Sequence, residues 1–115
     1  MNNKFNLSGR NALITGAAGL LGKQHAIALL EMGARVVLTD TNMVGLAVIQ
    51  TELSGSYPEE KIITSFMDVT SLASIKKVQS SLITDGIHVS ILINNAAIDP
   101  KVNQGQVVES SRLEN

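Results

Sequence analysis

The sequence predicts an α/β fold in which a doubly wound parallel sheet carries helices on both faces. Four short runs are rich in β-branched and apolar residues, and helix-forming stretches of about ten to fifteen residues separate them. Hydrophobic residues make up 44% of the 115 residues and charged residues 17%, a balance typical of a packed globular chain. Strict alternation produces right-handed crossovers and a parallel sheet, for which the common strand order is 3-2-1-4.

The first half of the pattern contains two strands around one helix. Asn11–Thr15 is a short apolar run that ends at a glycine-rich turn. Residues 19–32 are rich in good helix formers and apolar on most sides, as expected of a helix packed against a sheet, and Gly33 ends it. Arg35–Asp40 has the composition of a buried parallel strand.

A second helix and a third strand follow. The sequence predicts the helix over residues 41–53, with Asn42 as a possible N-cap. Residues 55–60 form a loop that includes Pro58, and residues 61–67 form the strand.

The last predicted pair is a helix and a fourth strand. Thr70 or Ser71 caps the helix, and an Asp-Gly pair ends it. Residues 88–94 are the strand, and the chain beyond Asn95 is polar and irregular. The predicted buried stripe of the helix consists of Leu72, Ile75, Val78, Gln79 and Leu82.

Composition excludes several classes of function. A formal net charge of −1 argues against nucleic acid or an anionic membrane surface as partner. The absence of cysteine excludes a disulfide scaffold, a thiolate metal site and a cysteine nucleophile. No apolar run approaches the ~20 residues of a membrane span, and residues 1–10 lack a signal-peptide core. We therefore expect a cytoplasmic protein without a metal site.

Three glycines, Gly16, Gly19 and Gly22, lie between the first strand and the first helix. Glycine permits the sharp turn, lets a diphosphate approach the backbone and allows close helix packing, while the helix N-terminus attracts negative charge. The alternative is that these glycines only close a tight turn. Their spacing differs from Gly-x-Gly-x-x-Gly, and no Gly-Lys-Ser/Thr follows, which argues against an ATPase phosphate loop.

Asp40 ends the second strand about twenty residues after the glycines, where a dinucleotide-binding fold places an acid that bonds the adenosine ribose hydroxyls. A carboxylate there repels a 2′-phosphate, and no arginine occurs among Thr41, Asn42 and Met43. The sequence therefore favours NAD over NADP. The alternative is that Asp40 only caps the next helix.

Residues 15–22, Asp40, Asp68-Val69 and residues 94–97 together resemble the short-chain dehydrogenase/reductase family, and the resemblance extends from about Leu7 onward. It implies a Rossmann-type fold, an adenine contact from Asp68 and Val69, and a fourth strand tied to its neighbours by the Asn94-Asn95 pair. Without the resemblance, Asp68 reads as an ordinary turn residue. The resemblance assigns to the cofactor Gly16, Gly19, Leu20, Leu21, Gly22, Asp40, Asp68, Val69, Asn95, Ala96 and Ala97.

Two further segments, residues 94–101 and 111–115, resemble the flagellin-modification dehydrogenases, a branch linked to bacterial surface-sugar synthesis. The glycine spacing instead resembles the longer sugar-nucleotide branch, while Asn-Asn-Ala-Ala resembles the compact branch. The subfamily therefore stays open.

In this family a tyrosine, a lysine four residues later and an upstream serine carry out proton transfer. The only tyrosine, Tyr57, does precede Lys61 by four residues, but it lies before the third strand, on the side of the sheet away from the nicotinamide. We assign this pair no role, and we treat His25 and His88 as structural. Asp99 and Lys101 could approach the active-site mouth, but an exposed loop pair is the simpler interpretation, so no catalytic residue is assigned.

The sequence thus predicts that residues 1–115 are the NAD-binding part of a single, incomplete Rossmann-fold domain, truncated before its catalytic half. The expected parent is an oxidoreductase acting on a carbonyl or alcohol, with a sugar derivative as one small-molecule substrate class, and a homo-oligomer by family resemblance. This chain alone should not catalyse, and its fourth strand should form an open apolar edge. The alternatives are a non-catalytic nucleotide-binding or regulatory module and a structural interaction domain.

Overall fold

The computed structural model of the chain describes residues 6–96. Its elements are β1 (Asn11–Thr15), α1 (Leu20–Glu31), β2 (Arg35–Asp40), α2 (Met43–Ser54), β3 (Ile62–Phe66), α3 (Leu72–Thr84) and β4 (Val89–Asn94). The four strands form one parallel sheet in the order β3-β2-β1-β4. The predicted fold class and strand order are therefore confirmed.

The core has two layers because successive side chains of a strand point to opposite faces of the sheet. Ala12 and Ile14 of β1 belong to the layer beneath α1 and α2, whereas Leu13 belongs to the layer beneath α3. In β2, Val36 and Leu38 join the first layer and Val37 the second. Coverage on both faces explains why the middle of β1 and of β2 is a continuous apolar run rather than an alternating one.

Side-chain caps begin two of the helices. The Asn42 side chain accepts a hydrogen bond from the Gly45 N–H at 2.9 Å, so its predicted N-cap role in α2 is confirmed. Ser71, rather than Thr70, caps α3, because its hydroxyl oxygen accepts from the Ser74 N–H at 3.1 Å. Each cap satisfies an N–H group that has no partner within its own helix.

Two local predictions need correction. Lys61 does not begin β3: it ends a 3-10 turn over Glu59–Lys61, in which its N–H bonds the Pro58 carbonyl at 3.0 Å. In α3, Leu72 and Gln79 are exposed, while Val78 and Leu82 are buried. At about 100° per residue, Leu72 and Gln79 lie to one side of the stripe that faces the sheet, so the buried face is narrower than the sequence suggests.

Strand β4 pairs with β1 alone among the described residues, and the exposed fraction of the Leu92 side chain is 63%. An apolar groove of about 390 Å³ runs beside it, with Leu13, Val78 and Leu92 among its lining residues. Within residues 6–96, the fourth strand is the open apolar edge that the sequence predicts. No helix in this part of the chain is long and apolar enough to span a membrane.

Leu38→Ala should destabilise the fold strongly, because the Leu38 side chain in β2 is fully buried in the layer beneath α1 and α2. We expect the free energy of unfolding to fall by about 2–5 kcal/mol in urea denaturation. The matched control is Leu72→Ala, where the leucine side chain is 65% exposed. Equal losses in the two variants would contradict the assigned core.

Candidate nucleotide-binding site

The hydroxyl group of Thr15 joins the carboxyl ends of β1 and β4. It donates to the Asn94 side-chain oxygen at 3.1 Å and accepts from the backbone N–H groups of Asn95 and Ala96, each at 2.9 Å. The Asn95 side chain in turn donates to the Gly16 carbonyl at 3.1 Å. A hydroxyl has one donor and two acceptor positions, so that of Thr15 is fully used. Sequence reasoning gave Thr15 no role, although its place between a buried strand and a glycine was a usable signal.

Gly16 and Gly22 are required by the packing of the turn itself. Gly16 has φ +63°, and a Cβ there would lie 2.8 Å from the Ala96 Cα. A Cβ on Gly22 would lie 2.6 Å from the Ala17 Cα, on the opposite side of the turn. Neither contact can be relieved by moving a flexible side chain, because the neighbouring atoms belong to the backbone. The packing of the turn alone therefore explains why these two residues are glycines.

Gly19 is different. Its φ of −89° is open to any residue, and the nearest atom to a Cβ there would be the Gly16 carbonyl oxygen at 3.9 Å. It is the N-cap of α1 but supplies no capping side chain, and the following residues, Leu20 and Leu21, are exposed. The positive end of the helix dipole therefore faces solvent beside bare backbone. This is an arrangement that a diphosphate can approach closely.

Asp40 links this turn to the start of α2. One carboxylate oxygen accepts from the Ala18 N–H at 3.0 Å and the other from the Asn42 N–H at 2.9 Å. The N-cap of α2 is Asn42, not Asp40, so the alternative in which Asp40 only caps the helix does not describe the geometry. Each oxygen retains a further lone pair, and the half-buried carboxylate lies beside the glycine turn.

Asp68 and Val69 follow the carboxyl end of β3. The Thr70 hydroxyl donates to the Asp68 carboxylate at 2.7 Å and the Thr70 N–H donates at 2.9 Å. These bonds, that of the hydroxyl first, hold the pKa of Asp68 below its usual value. Val69 packs against the apolar layer beneath α3. Asp68 thus bonds the turn that follows it, as an ordinary turn residue would. Its carboxylate stays ionised and can still accept hydrogen bonds.

Most of the predicted site residues lie together at the carboxyl ends of the parallel strands. Asn95 and Ala96 are half-buried beside Gly16. Ala97, by contrast, lies outside the described residues, as do Asp99, Lys101 and residues 111–115.

The Tyr57 and Lys61 pair lies near the amino ends of the strands, opposite the candidate site, because Lys61 immediately precedes β3. The Tyr57 hydroxyl donates to the Glu31 carboxylate, and the Lys61 ammonium donates to the Gly33 carbonyl at 2.7 Å. The bond to Glu31, with smaller contributions from burial and charge repulsion, raises the pKa of Tyr57. A tyrosine that acts as a general base needs a lowered pKa, so this pair lacks both the position and the electrostatics for catalysis.

The two histidines do not form a site within the described residues. His25 is half-buried within α1, and His88 is exposed before β4. In residues 6–96, no three or more histidine or acidic side chains are grouped so that they could hold a metal ion.

The glycine turn, the acid after β2 and the paired strand ends form the arrangement expected of a nucleotide-binding α/β fold, and sequence comparison gives the family. A sequence model of the short chain dehydrogenase family matches residues 10–114. The chain belongs to the short-chain dehydrogenase/reductase family.

Individual relatives agree with this placement. A short chain dehydrogenase/reductase of Gibberella zeae is 38% identical over 92 residues, which are 80% of this chain and 33% of the relative. A sorbitol dehydrogenase of Cereibacter sphaeroides is 36% identical over 92 residues, 80% of this chain and 34% of that protein. The chain therefore spans about a third of the length of these relatives.

Solved structures give the same result. The structure of RhlG of Pseudomonas aeruginosa, an active-site complex with NADP, has a TM-score of 0.78 and 31% identity, covering 95% of this chain and 43% of that one. A putative D-mannonate oxidoreductase from Haemophilus influenza with bound NAD has a TM-score of 0.72 and 31% identity, covering 81% of this chain and 32% of that one. None of these four relatives and structures is described as a flagellin-modification enzyme, so that narrower resemblance lacks support.

Alanine substitutions at Gly22 and Gly19 should affect different properties, stability in the first and nucleotide binding in the second. Gly22→Ala forces a methyl group against backbone atoms, so the free energy of unfolding should fall by about 1–3 kcal/mol. Gly19→Ala meets open space and should cost less than about 1 kcal/mol, yet weaken nucleotide binding at least about tenfold. Urea denaturation and calorimetric titration with NAD separate these effects. Unchanged affinity in Gly19→Ala would contradict the role assigned to the turn.

The ultraviolet absorbance of the single tyrosine should report its contact with Glu31. We expect the phenol of Tyr57 to ionise above its ordinary value of 10.0, and Glu31→Gln to bring the pKa back toward that value. Because the folded-state pKa is raised, the stabilisation is present below pH 10 and is lost as the pH rises through the folded-state value. Asp85→Asn, in the turn after α3, is the control. A tyrosine that titrates below pH 10 would contradict the contact with Glu31.

Proposed function

We propose that this chain holds the adenosine diphosphate part of NAD(H) within an oxidoreductase that acts on a carbonyl or alcohol. The observation that carries the proposal is Gly19, whose missing side chain the protein's own packing does not require. It lies at the uncapped N-terminus of α1, close in the chain to Ala18, which Asp40 bonds.

The diphosphate would lie against the turn at residues 16–22. Exposed N–H groups and the dipole of α1 favour negative charge there, and a side chain at Gly19 would narrow the approach. Leu20 and Leu21, both exposed, would cover the diphosphate from the solvent side. The glycine turn supplies no lysine ammonium, so binding would depend on backbone dipoles.

The adenosine ribose would lie against Asp40. Each carboxylate oxygen accepts one backbone N–H and retains capacity for a ribose hydroxyl. A 2′-phosphate would face this negative charge, and Thr41, Asn42 and Met43 offer no cation to balance it. Among the similar structures one holds NADP and another NAD, so the preference for NAD is argued from Asp40 alone.

Adenine would occupy the region after β3 and β4. The ionised carboxylate of Asp68 can accept a bond from the adenine amino group, while the Val69 backbone would lie beside the ring. The backbone of residues 95–97 would line the ribose. The Thr15 bonds support this assignment because they fix Asn95 and Ala96 next to Gly16.

On this proposal, the substrate chemistry lies outside residues 6–96. When bound, the nicotinamide accepts or delivers hydride, and the serine, tyrosine and lysine that would transfer the proton are not assigned within residues 6–96. We propose a sugar derivative as the first substrate class to test, because the similar proteins include a sorbitol dehydrogenase and a putative D-mannonate oxidoreductase. A flagellin or surface-glycan role, a cytoplasmic location and a homo-oligomeric parent are further proposals, based on family resemblance.

Asp40→Ala should weaken NAD binding about tenfold, because a hydrogen-bonded carboxylate is lost from the ribose position. The affinity for NADP should fall less or rise, since the repulsion of the 2′-phosphate disappears. Calorimetric titration with both cofactors measures the ratio, which separates ribose selection from general disruption of the turn. Asp85→Ala is the control with unchanged affinities. Equal losses for NAD and NADP, or no loss of NAD binding, would overturn the assignment.

A further inference from the structure

Three cationic side chains line one small pocket at the amino ends of the strands, at the end of the sheet opposite the glycine turn. Arg10 precedes β1, Arg35 begins β2 and Lys61 precedes β3, so the parallel strands bring them together at their amino ends. The pocket has a volume of about 200 Å³ and is completed by Gly9, Asn11, Gly33 and Glu60. No residue of the proposed nucleotide site takes part in it.

The charges in this pocket are not balanced within the described residues. The ion pair found in residues 6–96 joins Lys23 to Glu52 and involves none of the three cations. Glu60 is the one acid in the lining and lies beyond 4.0 Å of each cation. Three cations and one carboxylate leave a formal charge of +2 in a chain whose net charge is −1. Such a concentration of positive charge attracts anions.

Neutral groups hold the three cations in place. The Arg10 Nε donates to the Ser90 hydroxyl at 2.9 Å, and the Arg35 Nε donates to the Asn11 side-chain oxygen at 2.8 Å. The Lys61 Nζ donates to a backbone carbonyl at 2.7 Å. Each guanidinium has five N–H donors, of which the described bonds use one, and each ammonium has three. The cations are therefore positioned without being neutralised, and most of their donors remain available.

We propose that this pocket binds a small oxyanion of the phosphate class. Guanidinium groups match phosphate oxygens in a two-pronged geometry, and an ammonium supplies a further point charge. A water molecule takes up about 30 Å³ of liquid, so the pocket has room for an oxyanion that replaces several waters. A doubly charged anion matches the local charge of +2. The pocket lies at the amino ends of the strands and shares no residue with the proposed cofactor site.

The test is a nuclear magnetic resonance titration of the full chain with sodium phosphate, compared with sodium chloride at equal ionic strength. The amide signals of Gly9 and Gly33 report the pocket, and those of Gly16 and Gly19 report the glycine turn. We expect saturable shifts at Gly9 and Gly33 with phosphate alone. A parallel titration with glycerol 3-phosphate distinguishes a phosphate ester from the free ion as the preferred ligand.

Two variants locate the binding. Arg35→Gln and Arg10→Gln should each weaken phosphate binding at the pocket at least about tenfold, since each removes a charge-assisted hydrogen bond. Arg10 is exposed, so its variant keeps the test valid if Arg35→Gln fails to fold. Lys76→Gln, an equal change of charge on the exposed side of α3, should have no effect. The proposal is overturned if phosphate shifts only the glycine turn, if chloride acts equally, or if both arginine variants bind like the wild type.

Discussion

The candidate site depends first on the bonds of the Thr15 hydroxyl, because they join the carboxyl ends of two neighbouring strands. β1 leads into the glycine turn, and β4 leads into the Asn95-Ala96 backbone. With its donor and both acceptor positions used, the hydroxyl fixes these two exits relative to each other. Parallel sheets bind ligands in the crevice outside the carboxyl ends of their strands, at the point where neighbouring connections leave toward opposite faces. Thr15 lies at this point, at the end of β1 and beside β4.

The three glycines of the turn are there for different physical reasons. Gly16 permits a positive φ and the approach of Ala96, and Gly22 permits the approach of Ala17. Only at Gly19 does the absent side chain leave open space. A turn that needed glycine solely for its own geometry would explain the first two and not the third. Gly16 and Gly22 thus meet a packing requirement, whereas Gly19 leaves the backbone uncovered. Only the positions of the neighbouring atoms distinguish these two cases.

The elements themselves could be predicted from local composition, because strands buried on both faces contain continuous apolar runs and turn residues separate them. β1 and β2 are predicted at their observed bounds for this reason. Features that depend on tertiary contacts could not be predicted in the same way. Lys61 looks like the start of a strand, but a bond to Pro58 turns its backbone, and its ammonium reaches a carbonyl at the end of α1. The dual bonding of Asp40 is equally invisible, since Ala18 lies 22 residues away in the chain.

The strand order also dictates when the sheet can be completed during synthesis. β1 leaves the ribosome first, yet it lies inside the sheet, and its bond from Thr15 to Asn94 joins residues 79 positions apart. At about 5–20 residues per second, one side of β1 waits several seconds for its partner. In that interval β1, β2 and β3 can pair with one another while an apolar strand edge stays open. A chaperone that shields this edge on the nascent chain would protect the protein at its most vulnerable stage.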